Sequence, residues 1–201
     1  MKSKIGLMAA GVLLGLVLAL AGWNYLQGSY TFQGSLIDPP MPAADFELTD
    51  QNGAPFRLSE QQGKVVLIFF GYTHCPDVCP VTLAEFKQVK KRLGERAADV
   101  EFVFVTVDPE RDTQEQIKKY VANFDPQFVG LTGSRTELEP IWKDYFIYQQ
   151  KQDSGSAAGY LVDHTARVYA IDAQGNLRLT YPFGMETTKL VQDVDHLVRE
   201  N

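Results

Sequence analysis

Two largely apolar runs constrain the fold of this chain more than any other feature of its sequence. Residues 65–70 (VVLIFF) and residues 100–107 (VEFVFVTV) each fit a strand that is buried on both faces. Between them, residues 81–93 place apolar side chains at helical spacing and end beside Gly94, as helices often do. A strand, a helix and a second buried strand predict a βαβ unit and therefore a largely parallel sheet.

The remainder of the domain alternates strand and helix patterns in the same way. Residues 149–159 are polar and small, which predicts a flexible loop. Residues 167–172 and 176–181 predict a hairpin ahead of the last helix, so the order is typical of an α/β thioredoxin-like fold with extra elements. The other predicted elements are strands at residues 46–48, 128–131 and 160–162, and helices at residues 113–124, 136–148 and 187–199.

The first 26 residues differ in character from the rest. Lys2 and Lys4 precede an uncharged apolar run at residues 5–22, and aromatic residues close it. The run is long enough to cross a bilayer, and lysines before it keep the N-terminus in the cytoplasm. We therefore expect one N-terminal transmembrane helix, in a single-pass protein of the bacterial cytoplasmic (inner) membrane whose soluble domain faces the periplasm.

A cleaved signal peptide is the alternative, because residues 19–21 (ALA) resemble a cleavage site. Both possibilities export the domain. The segment at residues 27–42 is rich in Gly and Pro and is predicted to be a linker, and the globular domain is expected at residues 43–201.

Charge limits the partners of the exported part. Two of the 19 basic residues and none of the 25 acidic residues lie in residues 1–26, which leaves a net charge of −8 beyond them. An acidic domain is poorly suited to bind nucleic acid or anionic lipid surfaces. We therefore expect no nucleic-acid partner, and contact with the membrane only through the N-terminal anchor.

The two cysteines are the centre of the predicted chemistry. Cys75 and Cys79 lie in GYTHCPDVCP (residues 71–80), which joins a buried strand to a helix, where open α/β sheets bind ligands. The helix dipole favours a thiolate at Cys79, beside the predicted helix start. Such a pair can form a redox-active dithiol or clamp a soft ion such as Cu(I), but two thiolates leave copper under-coordinated.

A third ligand must come from elsewhere in the fold, and His164 is the best candidate. It lies at the bend between two predicted strands, near the edge of the sheet where the parallel strands have their carboxyl ends. His74 adjoins Cys75, but a side chain next to a ligand usually points elsewhere, and His196 fits the surface of a helix. Asp108 ends a buried strand at the same edge, where it would either begin a helix or orient the site electrostatically.

Four segments together resemble the Sco/SenC family of copper-binding assembly factors. They are GYTHCPDVCP (71–80), VDPERDT (107–113), VGLTG (129–133) and YLVDHTARVYAID (160–172). The resemblance implies a thioredoxin-like fold with an inserted β-hairpin. It also implies copper, as Cu(I), Cu(II) or both, bound by Cys75, Cys79 and His164. The sensitive aspartate of the family maps to Asp108, as a neighbour of the ligands or a partner contact.

The resemblance further implies a copper metallochaperone for cytochrome c oxidase assembly, which delivers copper to the CuA site of subunit II or prepares the thiols of that site. Other periplasmic copper chaperones and a thiol reductant are further expected partners. A thiol–disulfide oxidoreductase that acts on the CuA cysteines or in redox signalling stays open as the alternative, so turnover as an enzyme is undecided. A peroxidase ranks third, because no sequence feature marks a peroxide pocket.

Overall fold

The computed structural model describes residues 30–156 and 159–200, together with Gly15. The chain divides into two compact units, Met1–Phe32 and Gln33–Asn201. The predicted transmembrane helix or signal peptide at residues 1–26 lies outside the described residues, apart from Gly15. In the part that the structure describes, no helix has the length and apolar character needed to span a bilayer.

The larger unit is built on an eight-stranded mixed sheet with the strand order β1-β10-β9-β4-β5-β6-β2-β3. Its strands are β1 (Ser35–Pro42), β2 (Glu47–Asp50), β3 (Pro55–Arg57), β4 (Val65–Gly71), β5 (Val100–Thr106), β6 (Val129–Thr132), β9 (Arg167–Ile171) and β10 (Asn176–Pro182). Strands β7 (Gln149–Ser156) and β8 (Gly159–His164) form a separate two-stranded sheet. The helices are α1 (Val78–Leu93), α2 (Gln114–Ala122), α3 (Arg135–Asp144) and α4 (Thr187–Arg199).

The two apolar runs that dominate the sequence are neighbouring strands at the centre of the sheet. Strand β4 pairs with β5 in parallel, from Val65 opposite Val100 to Gly71 opposite Thr106. Every residue of β4 is buried, as expected for a central strand whose two faces are both covered. Helix α1 connects the two strands, which confirms the predicted βαβ unit and brings the cysteine segment to the carboxyl end of β4.

The prediction of a flexible loop at residues 149–159 is wrong, because β7 occupies Gln149–Ser156. It pairs antiparallel with β8, and Gln149 lies opposite His164. The described side chains of β7 are mostly exposed, so nothing in the strand requires the apolar alternation by which strands are recognised. The β7–β8 hairpin is the inserted element that carries His164.

The prediction of a linker also fails for its second half, because Ser35–Pro42 forms β1 at the edge of the main sheet. It pairs antiparallel with β10, with a register shift between Leu36 and Met41. Prolines are tolerated on an edge strand because one side of that strand needs no hydrogen bonds from a neighbour. The Pro-rich composition therefore concealed a strand.

Two helix boundaries differ from prediction near the site. Helix α1 begins at Val78 rather than at residue 81, so Cys79 lies inside its first turn. Helix α3 ends at Asp144 rather than at residue 148, because Phe146 takes a left-handed conformation with φ of 54°. That turn redirects the chain into the β7–β8 hairpin.

Candidate metal centre

Three side chains that are far apart in the sequence converge at the carboxyl end of β4. One potential ligand atom from each of Cys75, Cys79 and His164 lies within 4.8 Å of the other two. The Nε2 atom of His164 lies 3.4 Å from the Sγ atom of Cys79. The structure therefore brings together the three residues that the sequence predicts as ligands.

Cys75 occupies the position that a capping side chain takes at a helix N-terminus. The backbone N–H of Cys79, in the first turn of α1, donates to the Sγ atom of Cys75 at 3.4 Å, whereas the Asp77 side chain caps nothing. A hydrogen bond from the Cys79 thiol lowers the pKa of Cys75, against the opposing effect of burial, and His164 lowers it further. Cys75 is therefore the member of the pair that ionises more readily.

Cys79 is the buried member of the pair, with no exposed surface. Burial raises the pKa of its thiol, and the neighbouring Cys75 raises it further. The expectation that the helix dipole makes Cys79 the thiolate is therefore wrong, because desolvation outweighs the dipole at this position. The two thiols are unequal, since Cys75 is partly exposed and has the lowered pKa, whereas Cys79 is enclosed and has the raised pKa.

Gly71 makes room for the buried sulfur. A Cβ atom on this residue would lie 2.9 Å from the Sγ atom of Cys79 and within 2.9 Å of the rings of Phe69 and Phe104. Side chains packed this tightly in a core have no space into which to move. Only glycine at the end of β4 therefore allows the first turn of α1 to approach the strand so closely.

The imidazole of His164 is oriented by two aromatic rings and one carbonyl. Phe69 and Tyr72 meet it in edge-to-face contacts, with ring centroids at 5.9 and 5.7 Å. The Nδ1 atom lies 3.2 Å from the carbonyl oxygen of Thr165. A proton on Nδ1 donates to this carbonyl and leaves the lone pair of Nε2 free for a metal ion, as at many histidine metal sites.

Asp108 touches none of the three candidate ligands. It is fully buried, forms an ion pair with Arg111 at 2.5 Å, and accepts a hydrogen bond from the Tyr160 hydroxyl at 2.6 Å. Arg111 also donates to the Tyr160 carbonyl at 2.9 Å and lies over the Tyr160 ring. Because Tyr160 belongs to β8, Asp108 fastens the hairpin that carries His164, a role that its sequence position did not reveal.

The other two histidines lie outside the three-residue group. His74 is 43% exposed, and its Nδ1 atom lies 3.1 Å from the Thr73 hydroxyl. His196 lies on α4 and forms an ion pair with Glu200 at 3.2 Å.

Sequence reasoning missed the residues that shape the site rather than form it. They are Gly71, the rings of Phe69 and Tyr72, the Arg111–Tyr160 contact, and Asp112, which accepts hydrogen bonds from Thr73. Only Gly71 carried a usable signal, since a glycine that ends a buried strand marks a close approach of another group. The others depend on long-range contacts.

The donor set fits a soft metal ion. Two sulfurs and one imidazole nitrogen favour Cu(I) over hard cations such as Mg²⁺ or Ca²⁺, which prefer oxygen ligands. The described part of the chain offers no other group of three ligand side chains arranged in this way. The same sulfurs, if oxidised, are near enough for a disulfide after a small movement.

Comparison with known proteins assigns the chain to a family. The SCO1/SenC family model matches residues 37–199. The SCO2-like protein of Rickettsia felis is 38% identical over 132 residues, which cover 65% of this chain and 64% of that protein. This chain thus spans slightly under two thirds of that relative's length.

Solved structures agree with this assignment. Bradyrhizobium japonicum ScoI with copper bound is 37% identical, with a TM-score of 0.70, over 79% of this chain and 98% of that one. BsSco, described as a member of the Sco family of cytochrome c oxidase assembly proteins with a disulfide switch, is 25% identical, with a TM-score of 0.65. That match covers 85% of this chain and 99% of BsSco. The thioredoxin-like Sco fold is therefore shared.

Proposed function

The chain belongs to the SCO1/SenC family, and from that premise we propose that it binds one copper ion through Cys75, Cys79 and His164 for the assembly of cytochrome c oxidase. Copper is its cargo, and the acceptor is the CuA site of subunit II. Relatives that hold copper or are described as assembly proteins of this oxidase support the proposal.

One observation carries the proposal most directly. The ligand atoms of the three residues already lie within 4.8 Å of one another, although His164 comes 85 positions after Cys79 in the chain. Cys75 is partly exposed, and the Nε2 atom of His164 lies 3.4 Å from the Sγ atom of Cys79. Such a site can accept an ion from the surface and pass it to another protein.

The inequality of the two thiols favours a second candidate function, which is reduction of the CuA cysteines. The Cys75 thiolate would attack one sulfur of the substrate disulfide, and the released thiolate would take up a proton. Cys79 would then lose its proton and attack the Cys75 sulfur, which releases the second substrate thiol. The chain ends as the Cys75–Cys79 disulfide and the substrate as a dithiol.

Export places either function where the acceptor resides. The charge pattern of residues 1–26 supports a periplasmic domain held at the cytoplasmic membrane. An anchor of this kind restricts the search for a membrane-bound acceptor to the membrane surface.

The variant His164→Ala tests the three-ligand site. We expect Cu(I) affinity, measured by competition with a chromophoric chelator, to fall about 10- to 1000-fold, because the ion loses one of three ligands. The variant His196→Ala is the matched control, since it removes a histidine on α4 that is not near the cysteines. Unchanged affinity in His164→Ala would reject the site.

A copper-free assay separates the two functions. The reduced chain is mixed with an oxidised CuA domain, and free substrate thiols are counted. Reduction without copper, lost in Cys75→Ser, would support the oxidoreductase. Copper transfer to a CuA domain whose thiols are already reduced would support delivery, and absence of both activities would contradict the proposal.

A further inference from the structure

Asp112 is a buried carboxylate for which neither proposed function has a use. Its side chain has no exposed surface. The basic side chain that comes near it is the partly exposed imidazole of His74, whose Nδ1 atom lies 3.7 Å from a carboxylate oxygen. Its pKa is raised by burial, as expected for a carboxyl group that is removed from water. Burial of a carboxyl group costs free energy unless hydrogen bonds replace those that it made with water. The hydrogen bonds of Asp112 therefore indicate what this residue contributes.

Those hydrogen bonds converge on the segment just before Cys75. The backbone N–H of Thr73 donates to both carboxylate oxygens at 3.1 and 3.2 Å, and the Thr73 hydroxyl donates at 2.6 Å. The Thr106 hydroxyl, at the end of β5, donates at 2.7 Å. Asp112 thereby joins the loop that follows β4 to the end of the neighbouring strand.

Thr73 is the second residue of a tight turn, residues 72–75, that contains Cys75 and contacts His164. The N–H of Cys75 donates to the carbonyl of Tyr72 at 3.3 Å, which closes the turn. Cys75 supplies one sulfur, and the Tyr72 ring meets the imidazole of His164 edge to face. Holding Thr73 therefore fixes one ligand and one of the two rings that orient another.

From these contacts we infer that Asp112 is a positioning residue of the metal centre, which holds the turn of residues 72–75 so that Cys75 and His164 face each other before metal arrives. The inference rests on the proposed copper site. Mutation of residues that orient metal ligands without touching the metal commonly lowers metal affinity about 10- to 100-fold.

The central experiment compares Asp112→Ala with Asp112→Asn in the full chain. The alanine variant loses every bond to Thr73, and we expect Cu(I) affinity, measured by chelator competition, to fall about 10- to 100-fold. The asparagine variant keeps the shape and one acceptor oxygen, so its affinity stays near that of the wild type. Equal loss in the two variants would overturn the inference, since hydrogen bonding would not be the cause.

Asp193→Ala is the matched control for loss of a buried carboxylate. Asp193 is also fully buried and accepts the backbone N–H groups of Gln33 and Gly34 at 2.8–3.0 Å, but it makes no contact with the turn. We expect this variant to lower the unfolding temperature and leave Cu(I) affinity unchanged. An affinity loss equal to that of Asp112→Ala would show a general effect of instability and overturn the inference.

A metal-free measurement separates this inference from the proposed function. Amide hydrogen exchange at Thr73 and Cys75 should accelerate in Asp112→Ala and not in Asp193→Ala, because the turn loses its anchor. Faster exchange shows that Asp112 holds the turn whether or not the chain binds copper, so failure of the copper site and failure of the anchor are told apart. Unchanged exchange together with unchanged affinity would reject it.

A second variant covers the case in which Asp112→Ala does not fold. Thr73→Val removes only the hydroxyl bond at 2.6 Å and leaves the backbone bonds in place. We expect a smaller loss of Cu(I) affinity in the same direction, because only one of the bonds between Thr73 and Asp112 is lost. Wild-type affinity in Thr73→Val would contradict action through Thr73.

Discussion

The two parts of the metal centre are built in opposite ways. The sulfur half, residues 71–79, is embedded in the core, since Cys79 has no exposed surface and Gly71 has no space for even a methyl group. It connects the central strand of the sheet to the first long helix. Any displacement of Cys79 would therefore disturb the packing of the whole domain.

The imidazole half is the β7–β8 hairpin, residues 149–156 and 159–164, and it depends on few attachments. Its strands pair only with each other among the described residues, and its side chains are mostly exposed. Buried Val162, the contact of Tyr160 with Asp108 and Arg111, and the exposed ion pair of Lys151 with Glu110 hold it to the domain. A two-stranded hairpin is only marginally stable by itself.

This difference fits the proposed copper carrier, which would have to both hold and release an ion. The sulfurs define a fixed position, whereas the imidazole can move through local opening of the hairpin without unfolding the core. Variants that alter one half at a time show whether the effect stays within that half.

The largest effect is expected from Asp108→Ala, which removes an attachment of the imidazole half. The variant leaves Arg111 partly buried without its carboxylate, and removal of one partner of a buried ion pair costs about 3–5 kcal/mol of unfolding free energy. Cu(I) affinity should fall to about the level of His164→Ala, because the hairpin no longer holds the imidazole. Urea unfolding and chelator competition measure the two quantities.

The matched control is Glu115→Ala, which breaks an exposed ion pair with Lys119 on α2, away from the hairpin. Such pairs contribute at most about 1 kcal/mol. If both variants unfold at the same urea concentration as the wild type, the hairpin does not depend on Asp108.

Gly71→Ala should damage the sulfur half. The added methyl group overlaps the Sγ atom of Cys79, and overpacking of this kind costs about 1–3 kcal/mol. Copper affinity should fall as well, because Cys79 is displaced. Gly130→Ala also overpacks the core, with a Cβ atom 2.3 Å from Ile117, and should cost stability without affecting copper. Equal affinities in the two variants would contradict the close approach at Gly71.

Tyr160→Phe should loosen the imidazole half slightly. It removes the hydrogen bond to Asp108 but keeps the ring that stacks on Arg111, so about 1 kcal/mol of unfolding free energy is lost. Hydrogen exchange in β8 should accelerate while exchange in β4 stays unchanged. Faster exchange in both strands would mean that the two halves open together.

The smallest effect concerns pH and Glu110, which contacts Lys151 of the hairpin at 3.4 Å. Burial alone would raise the pKa of Glu110, but hydrogen bonding to Arg135 and the charge of Lys151 outweigh it and lower the pKa to about 2. A lowered carboxyl pKa stabilises the fold above the unfolded value, roughly 4.3, and that stability disappears as the pH falls toward 2.

The contribution should be only a few tenths of a kcal/mol, because the pair is well exposed. Unfolding curves of Glu110→Gln and wild type should differ slightly at pH 7 and converge between about pH 4 and pH 2. A difference that grows on acidification would have the wrong sign.

The same division explains what the sequence could and could not reveal. The sulfur half was predictable because local patterns encode it, as in the apolar run of β4 and the C-x-x-x-C segment before α1. The βαβ order and the meeting of Cys75, Cys79 and His164 were predicted correctly. The assignment of the thiolate was not, because burial of Cys79 depends on residues from several strands.

The imidazole half was recognised only in part. The sequence indicates His164, yet it predicts a loop in place of β7, because the polar residues of that strand pair with β8 and face solvent. Strand β1 was missed for a related reason, since an edge strand tolerates the prolines that usually indicate a linker. Asp112 was not identified, because its partners Thr73 and Thr106 lie 39 and 6 residues away and only the folded chain brings them together.

X-ray absorption spectroscopy of the full chain loaded with one equivalent of Cu(I) tests the shared site most directly. We expect two sulfur neighbours and one nitrogen neighbour around the metal, and the nitrogen signal alone should vanish in His164→Ala. A copper shell of sulfur alone in the wild-type chain, or of nitrogen and oxygen alone, would show that the two halves do not bind one ion together.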